Sequence, residues 1–249
     1  MTDKMLAGQV ALVTGGALRL GRAIAEGLAA DGADVVIHYG ASSEAAEGLA
    51  EQLRARGGRA FIVQADLAVG QEVEGLVQRA VALAGRMDLL VNNASVFPPG
   101  DLAALRPSEL TQNLQVNAWA PLMLSRELAG FGRPAQVVNL LDARIASSAD
   151  PDHVAYYLSK RMLADLTRLL ALELAPGIRV NGVAPGAVLA PADAAPGYLE
   201  GLAAGLPLRR TGGSADIVRA VRFLVQSPFV TGQVIFVDGG QHLKGSVHG

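Results

Sequence analysis

The 249-residue chain is 51% hydrophobic and 18% charged, long enough to close one sizeable core, and α/β folds of this length commonly form a single domain. A formal net charge of −2 with no basic block gives no support to nucleic-acid or anionic-membrane binding, and the lack of cysteine excludes disulfides, thiolate nucleophiles and cysteine metal sites. The N-terminus lacks a signal-peptide pattern and no apolar run reaches the ~18 residues of a membrane helix, so a cytoplasmic protein is expected.

Val10 to Val13 is a short apolar run of strand type that passes through a glycine turn at Thr14-Gly15-Gly16 into a helical pattern starting around Leu20-Gly21-Arg22. Such a corner binds anions. Its glycines let the backbone approach a pyrophosphate, while the free N–H groups and positive dipole end of the helix point at it. A dinucleotide is the expected ligand, with a plain βα connection as the alternative. Asp34 to Tyr39 reads as the second strand. An NAD-selective site wants Asp or Glu at its end to accept from the ribose hydroxyls, and the run His38-Tyr39-Gly40-Ala41-Ser42-Ser43 offers neither. His38, Tyr39 and Ser42 stand instead where a 2′-phosphate would sit. Arg19, in the glycine turn, adds a charge-assisted contact, so NADP(H) is favoured. Ser42 or Ser43 also caps the helix expected over 44–56.

A third strand over 59–65 leads into Asp66-Leu67, a helix covers 71–84, and a fourth strand over 87–91 precedes Asn92-Asn93-Ala94-Ser95. The loop Val96-Phe97-Pro98-Pro99-Gly100 presents one large aromatic, either a lid packed on the core or a ligand contact. In the long helix expected over 108–126, Asn117 interrupts an apolar face. A buried Asn must hydrogen-bond or it destabilises, so it marks either a local kink or a polar network. A fifth strand, 136–141, ends at Asp142. The helix after it, 154–174, carries Tyr156 and Lys160 four residues apart and therefore on one face. A lysine near a phenol pulls its pKa down from ~10 and makes it a competent acid at neutral pH; Tyr157 lacks the spacing. The sixth strand, 178–183, runs into Ala184-Pro185-Gly186. The stretch 189–207, rich in Ala, Gly and Pro, reads as a substrate lid. Ser214 caps a final helix, and 233–237 forms the last strand. His38, His153, His242 and His248 are too scattered for a metal motif and read as structural or solvated; no metal is expected.

The spacing Thr-Gly-x-x-x-Arg-x-Gly (Thr14, Gly15, Arg19, Gly21), followed by Asn92-Asn93-Ala94, Asn117, Tyr156-x-x-x-Lys160 and Pro185-Gly186, resembles the short-chain dehydrogenase/reductase family over nearly the whole chain. Arg19 where most members carry glycine, and Asp142 in the region of the usual catalytic serine, resemble its pteridine reductase branch. The resemblance implies a Rossmann-type, doubly wound, seven-stranded parallel sheet with helices on both faces, in one domain. Residues of about 1–142 form the cofactor half and about 143–249 the catalytic and substrate half, and a homotetramer packs through the C-terminal region.

It also implies that Thr14, Gly15, Arg19, Leu20, Gly21, Asn93, Ala94, Pro185 and Gly186 contact NADP(H). Asp66 accepts from the adenine amino group, Leu67 supplies backbone contacts, and the backbone of Val188 reaches the nicotinamide carboxamide. Ser95 touches the substrate or a cofactor phosphate, and Phe97 stacks on the substrate ring. Asn117 holds a water linking Lys160 to solvent, and Lys160 also holds the nicotinamide ribose. Tyr156 is the proton donor, with Asp142 assisting protonation of a ring nitrogen. The segment from Asp142 to Tyr156 is one residue longer than the family spacing, and strict register would put Ala143 at the catalytic point. The extra residue is assigned to the 147–152 loop; otherwise Asp142 caps the strand and Ser147 or Ser148 supplies the hydroxyl. The expected activity is NADPH-dependent reduction of a C=N bond in a pterin or dihydrofolate-like substrate. The alternatives are a 3-oxoacyl or other carbonyl reductase and a non-catalytic NADP(H)-binding sensor.

Overall fold

Alternate residues of the central strands divide between two hydrophobic cores. In β1 (Val10–Val13), Val10 and Leu12 enter one core while Ala11 and Val13 enter the other, all four buried. This is the pattern of a strand covered on both faces. The computed structural model describes residues 4–146, 151–191 and 194–244. Its sheet has seven parallel strands in the order β3-β2-β1-β4-β5-β6-β7, the others being β2 (Asp34–Tyr39), β3 (Ala60–Gln64), β4 (Leu89–Asn92), β5 (Ala135–Leu140), β6 (Ile178–Pro185) and β7 (Val234–Val237).

One face is covered by α1 (Arg19–Ala30), α2 (Ser43–Ala55) and α9 (Ser214–Gln226), through Ile24, Leu28, Leu49, Ile217 and Leu224. The other is covered by α4 (Leu76–Ala84), α6 (Ala120–Ala129) and α7 (Val154–Glu173), through Leu76, Ala80, Leu124, Leu128 and Leu170. The chain runs outward to β3 and then returns, so β4 lies against β1 and the strand order reverses between them. Ligands bind outside the carboxyl ends of the strands at such a reversal.

Three local expectations change. The helix expected over 71–84 is broken into α3 (Gly70–Val73) and α4, because Gly75 takes a left-handed φ of 76° between them. The helix expected over 108–126 runs as α5 (Pro107–Leu114), a π-helical turn (Gln115–Trp119) and α6; its wide turn surrounds Asn117. Ser214 is the first helical residue of α9, not its cap. Gly213 occupies the cap, and its N–H donates to the Asp216 carboxylate at 2.8 Å. Among the described residues, no helix is long and apolar enough to cross a membrane.

Candidate active site

The turn after β1 is built for close backbone approach. Gly15 has φ of 59°, and a Cβ there would lie 3.1 Å from the Ala94 Cα; one on Gly21 would lie 2.1 Å from the Gly15 carbonyl oxygen. Helix α1 therefore rests directly on the turn. Thr14 is buried, and its hydroxyl accepts from the Asn93 N–H at 2.9 Å and the Ala94 N–H at 3.0 Å. Asn93 in return donates from Nδ2 to the Thr14 and Gly15 carbonyls. Thr14 thus ties two strand ends together instead of facing the cleft. Gly15, Leu20, Tyr39, Ser42 and Ala94 line a compartment of about 350 Å³, and Asp66, Leu67 and Ala94 a second of about 210 Å³.

His38 borders the second of these compartments, whereas Tyr39 and Ser42 line the first. Strand alternation turns it inward while Tyr39 packs on the opposite face and reaches the cleft. Its Nδ1 accepts from the Gly15 N–H at 3.1 Å, so Nε2 carries the proton and donates to the Ala65 carbonyl at 3.0 Å. Burial pushes its pKa down to about 4, keeping the ring neutral as this bridge requires. Neither Ser42 nor Ser43 caps α2 through its side chain. Arg19 has a left-handed φ of 51°, which accounts for glycine being the common residue at this position in the family. Its guanidinium crosses the cleft to the carbonyl of Ala190, so it lines both the cofactor compartment and the neighbouring one.

That neighbouring cleft, about 460 Å³, contains Phe97, Asp142, Arg144, His153 and Tyr156, with Gly186, Leu189 and Leu202 opposite. The Tyr156 hydroxyl donates to Asp142 Oδ2 at 2.9 Å, while Asp142 Oδ1 accepts from the Arg144 N–H at 2.8 Å. Asp142, not the buried Ala143, is therefore the residue beside the phenol. Ser147 and Ser148 lie outside the described residues, as does His248. Lys160 is buried one turn further along α7. Its Nζ donates to the Leu140 carbonyl at 2.8 Å and lies 5.7 Å from the centroid of the Tyr156 ring. Burial pulls its pKa down to about 8 from the usual 10.5, partly offset by the Asp142 charge. Tyr157 faces away and accepts from Arg161.

Asn117 is both kink and network, the two readings open from its sequence. Its Oδ1 accepts from Ser95 Oγ at 3.1 Å and the Val96 N–H at 2.9 Å; its Nδ2 donates to the Val96 carbonyl at 3.0 Å and Ser159 Oγ at 2.9 Å. The side chain clamps the loop that carries Phe97. Ser95 lines both cofactor compartments, where a cofactor phosphate contact would fall. Val188 turns its side chain into the core, leaving Gly186, Ala187 and Leu189 as the wall. Pro185 ends β6. A Cβ on Gly186 would meet the Asp238 backbone at 2.7 Å.

Sequence reasoning missed His153, Arg144 and Gln241. His153 stacks on Phe97 with ring centroids 4.0 Å apart and planes 9° apart, while Tyr156 meets Phe97 edge-on at 4.5 Å. His153 stands three residues before Tyr156 as the N-cap of α7, but its backbone is not helical (φ −140°, ψ 52°), so helical spacing does not reveal its place. Arg144 follows Asp142 by two residues in a single 3-10 turn, Ala143–Ala146. Among the described residues, no group of three His, Cys, Asp or Glu side chains is placed to hold a metal.

A two-faced parallel sheet, a glycine turn at its reversal point and a Tyr-x-x-x-Lys pair beside it define a nucleotide-dependent oxidoreductase of the α/β class. A family model described as enoyl-(acyl carrier protein) reductase matches residues 16–242. The chain belongs to the short-chain dehydrogenase/reductase family. It resembles FolM alternative dihydrofolate reductase 1 from Brucella canis, solved with NADP, at 39% identity and TM-score 0.92, covering 98% of this chain and 97% of that one. A short-chain dehydrogenase from Burkholderia cenocepacia, also solved with NADP, is 35% identical with TM-score 0.88, over 94% and 98% of the two chains. The 3-oxoacyl-[acyl-carrier-protein] reductase FabG of Staphylococcus epidermidis is 32% identical, over 94% of this chain and 98% of the relative.

Proposed function

We propose that the protein is an NADPH-dependent reductase adding hydride and a proton across a C=N bond of a pterin or dihydrofolate-like substrate. The observation that carries this reading is the 2.9 Å bond from the Tyr156 hydroxyl to the Asp142 carboxylate. A serine hydroxyl at that point polarises a carbonyl. An ionised carboxylate cannot donate to a carbonyl oxygen, but it keeps the phenol protonated and, as an acid, passes a proton through Tyr156 to a ring nitrogen.

The cradle fits NADP(H): Gly15 and Gly21 leave no room for side chains, the end of β2 presents no carboxylate, and Ser42 and Arg19 border the same compartment. Bound there, NADPH supplies the hydride. Tyr156 delivers its proton to the ring nitrogen, and Lys160 stabilises the resulting phenolate. Asn117 keeps Phe97 in place through Val96, giving a flat ring a face to stack on. The dihydrofolate reductase name of the Brucella relative supports the substrate class.

The FabG relative and the family description support a second reading, a carbonyl reductase of the 3-oxoacyl type. A panel of pterins and ketones with NADPH, followed at the nicotinamide absorbance band, separates the two. Turnover with dihydrobiopterin or dihydrofolate and little with ketones is expected; the reverse order would overturn the pterin reading, and any steady turnover removes a mere sensor. The homotetramer that the family resemblance implies is tested by sedimentation.

A further inference from the structure

The cleft around Tyr156 is not uniformly apolar. Its volume is about 460 Å³. The lid side is formed by Leu189, Pro191, Leu199 and Leu202. On the other side Arg144 and His153 flank Phe97, the Arg144 guanidinium carbon lying 5.4 Å from the Phe97 ring centroid and the His153 ring stacked at 4.0 Å. A ring resting on Phe97 with its reactive edge at Tyr156 must send any substituent past one of these two borders.

Charge distinguishes them. The carboxylate in the cleft, Asp142, is already engaged by the Tyr156 hydroxyl and the Arg144 N–H. Arg19 is bonded to the Ala190 carbonyl on the lid side. Arg144 is half-buried, and its backbone is fixed by the Asp142 bond in a short 3-10 turn, so its side chain starts from a rigid base. A guanidinium carries five N–H donors in a planar fork, enough to keep an interaction within the protein and still accept a carboxylate or phosphate. No step of the hydride and proton transfer uses it.

We propose that Arg144, with the His153 imidazole beside it, is a specificity-determining site for an anionic arm on the substrate. This deepens the reductase reading and rests on it: the preferred substrate bears a negatively charged extension beyond its reacting group. Two sources share that chemistry, the carboxylates of a folate tail and the phosphates of a coenzyme A or carrier-protein thioester.

The test measures binding of folate and biopterin to the NADP-loaded protein by calorimetry, for the unaltered chain, Arg144→Gln and Arg144→Lys, with thermal melting to verify folding. Arg144→Gln should weaken folate about tenfold and biopterin less than twofold, and Arg144→Lys should recover part of the loss because charge returns without the fork. Equal weakening of both ligands, or none, overturns the proposal: Arg144 would then only shape Phe97. If the unaltered protein binds neither pterin, the pterin reading fails. KM for acetoacetyl-coenzyme A against neutral ethyl acetoacetate then decides the anion site, a rise in Arg144→Gln confined to the charged ester supporting it and an equal rise or none overturning it.

Discussion

Tyr156 and Asp142 meet through a 2.9 Å hydrogen bond from phenol to carboxylate, although they stand on different elements, one on helix α7 and the other just past strand β5. Replacing Asp142 with serine removes the acceptor and installs the hydroxyl that polarises carbonyls elsewhere in the family. Pterin reduction should fall by an order of magnitude or more, about the contribution of general acid assistance, while ketone reduction stays equal or rises. Pterin kcat unchanged in both Asp142→Ser and Asp142→Ala would mean that the carboxylate only caps the strand.

Tyr156→Phe should abolish turnover and leave NADPH binding nearly intact, since it deletes one proton donor and keeps the ring that packs edge-on against Phe97. Lys160 should behave differently. Its replacement is expected to damage both turnover and cofactor binding; a Lys160→Ala protein with unaltered NADPH affinity by fluorescence titration would contradict that role.

Lys160 also predicts a stability profile. Its folded pKa of about 8 lies below the usual 10.5, so between these values the unfolded chain holds more protons than the native one and stability rises with pH. Below pH 8 the full cost of the buried charge is present. Above 10.5 it has gone. Lys160→Met should flatten this rise, and the difference between the two proteins should change by about 3 kcal/mol at most across the window. Denaturant melts at pH 7.5, 9 and 10.5 would check it; parallel curves would mean the ammonium is better solvated than its burial implies.

Arg19→Gly should weaken NADPH about tenfold while NADH changes little, because a charge-assisted phosphate contact is lost. The backbone should favour the change: φ of 51° suits glycine, and relief of a left-handed conformation is worth on the order of 1 kcal/mol. A protein that melts no lower yet loses NADPH selectivity is the expected outcome. Equal weakening of both cofactors would show that Arg19 serves only its bond to Ala190.

What the sequence determined by itself is what lies close along the chain. The glycine turn between β1 and α1, the apolar run of β1 and the four-residue step from Tyr156 to Lys160 are each set by neighbouring residues. Each was therefore legible without coordinates. The tertiary structure decided whatever depends on which elements become neighbours. His38 is buried because parallel pairing of β2 with β3 brings the Ala65 carbonyl to its ring, and the same alternation turns Tyr39 to the opposite face, where it borders the cofactor compartment. Arg19 reaches Ala190, 171 positions away, because both segments border one cleft. His153 joins Phe97 because the start of α7 pairs with Gly100 in an isolated bridge, a contact between two loops that no periodicity encodes. Hydrophobic pattern specifies which face of an element turns inward, whereas a side chain at a strand or helix end meets partners chosen by the packing of distant elements.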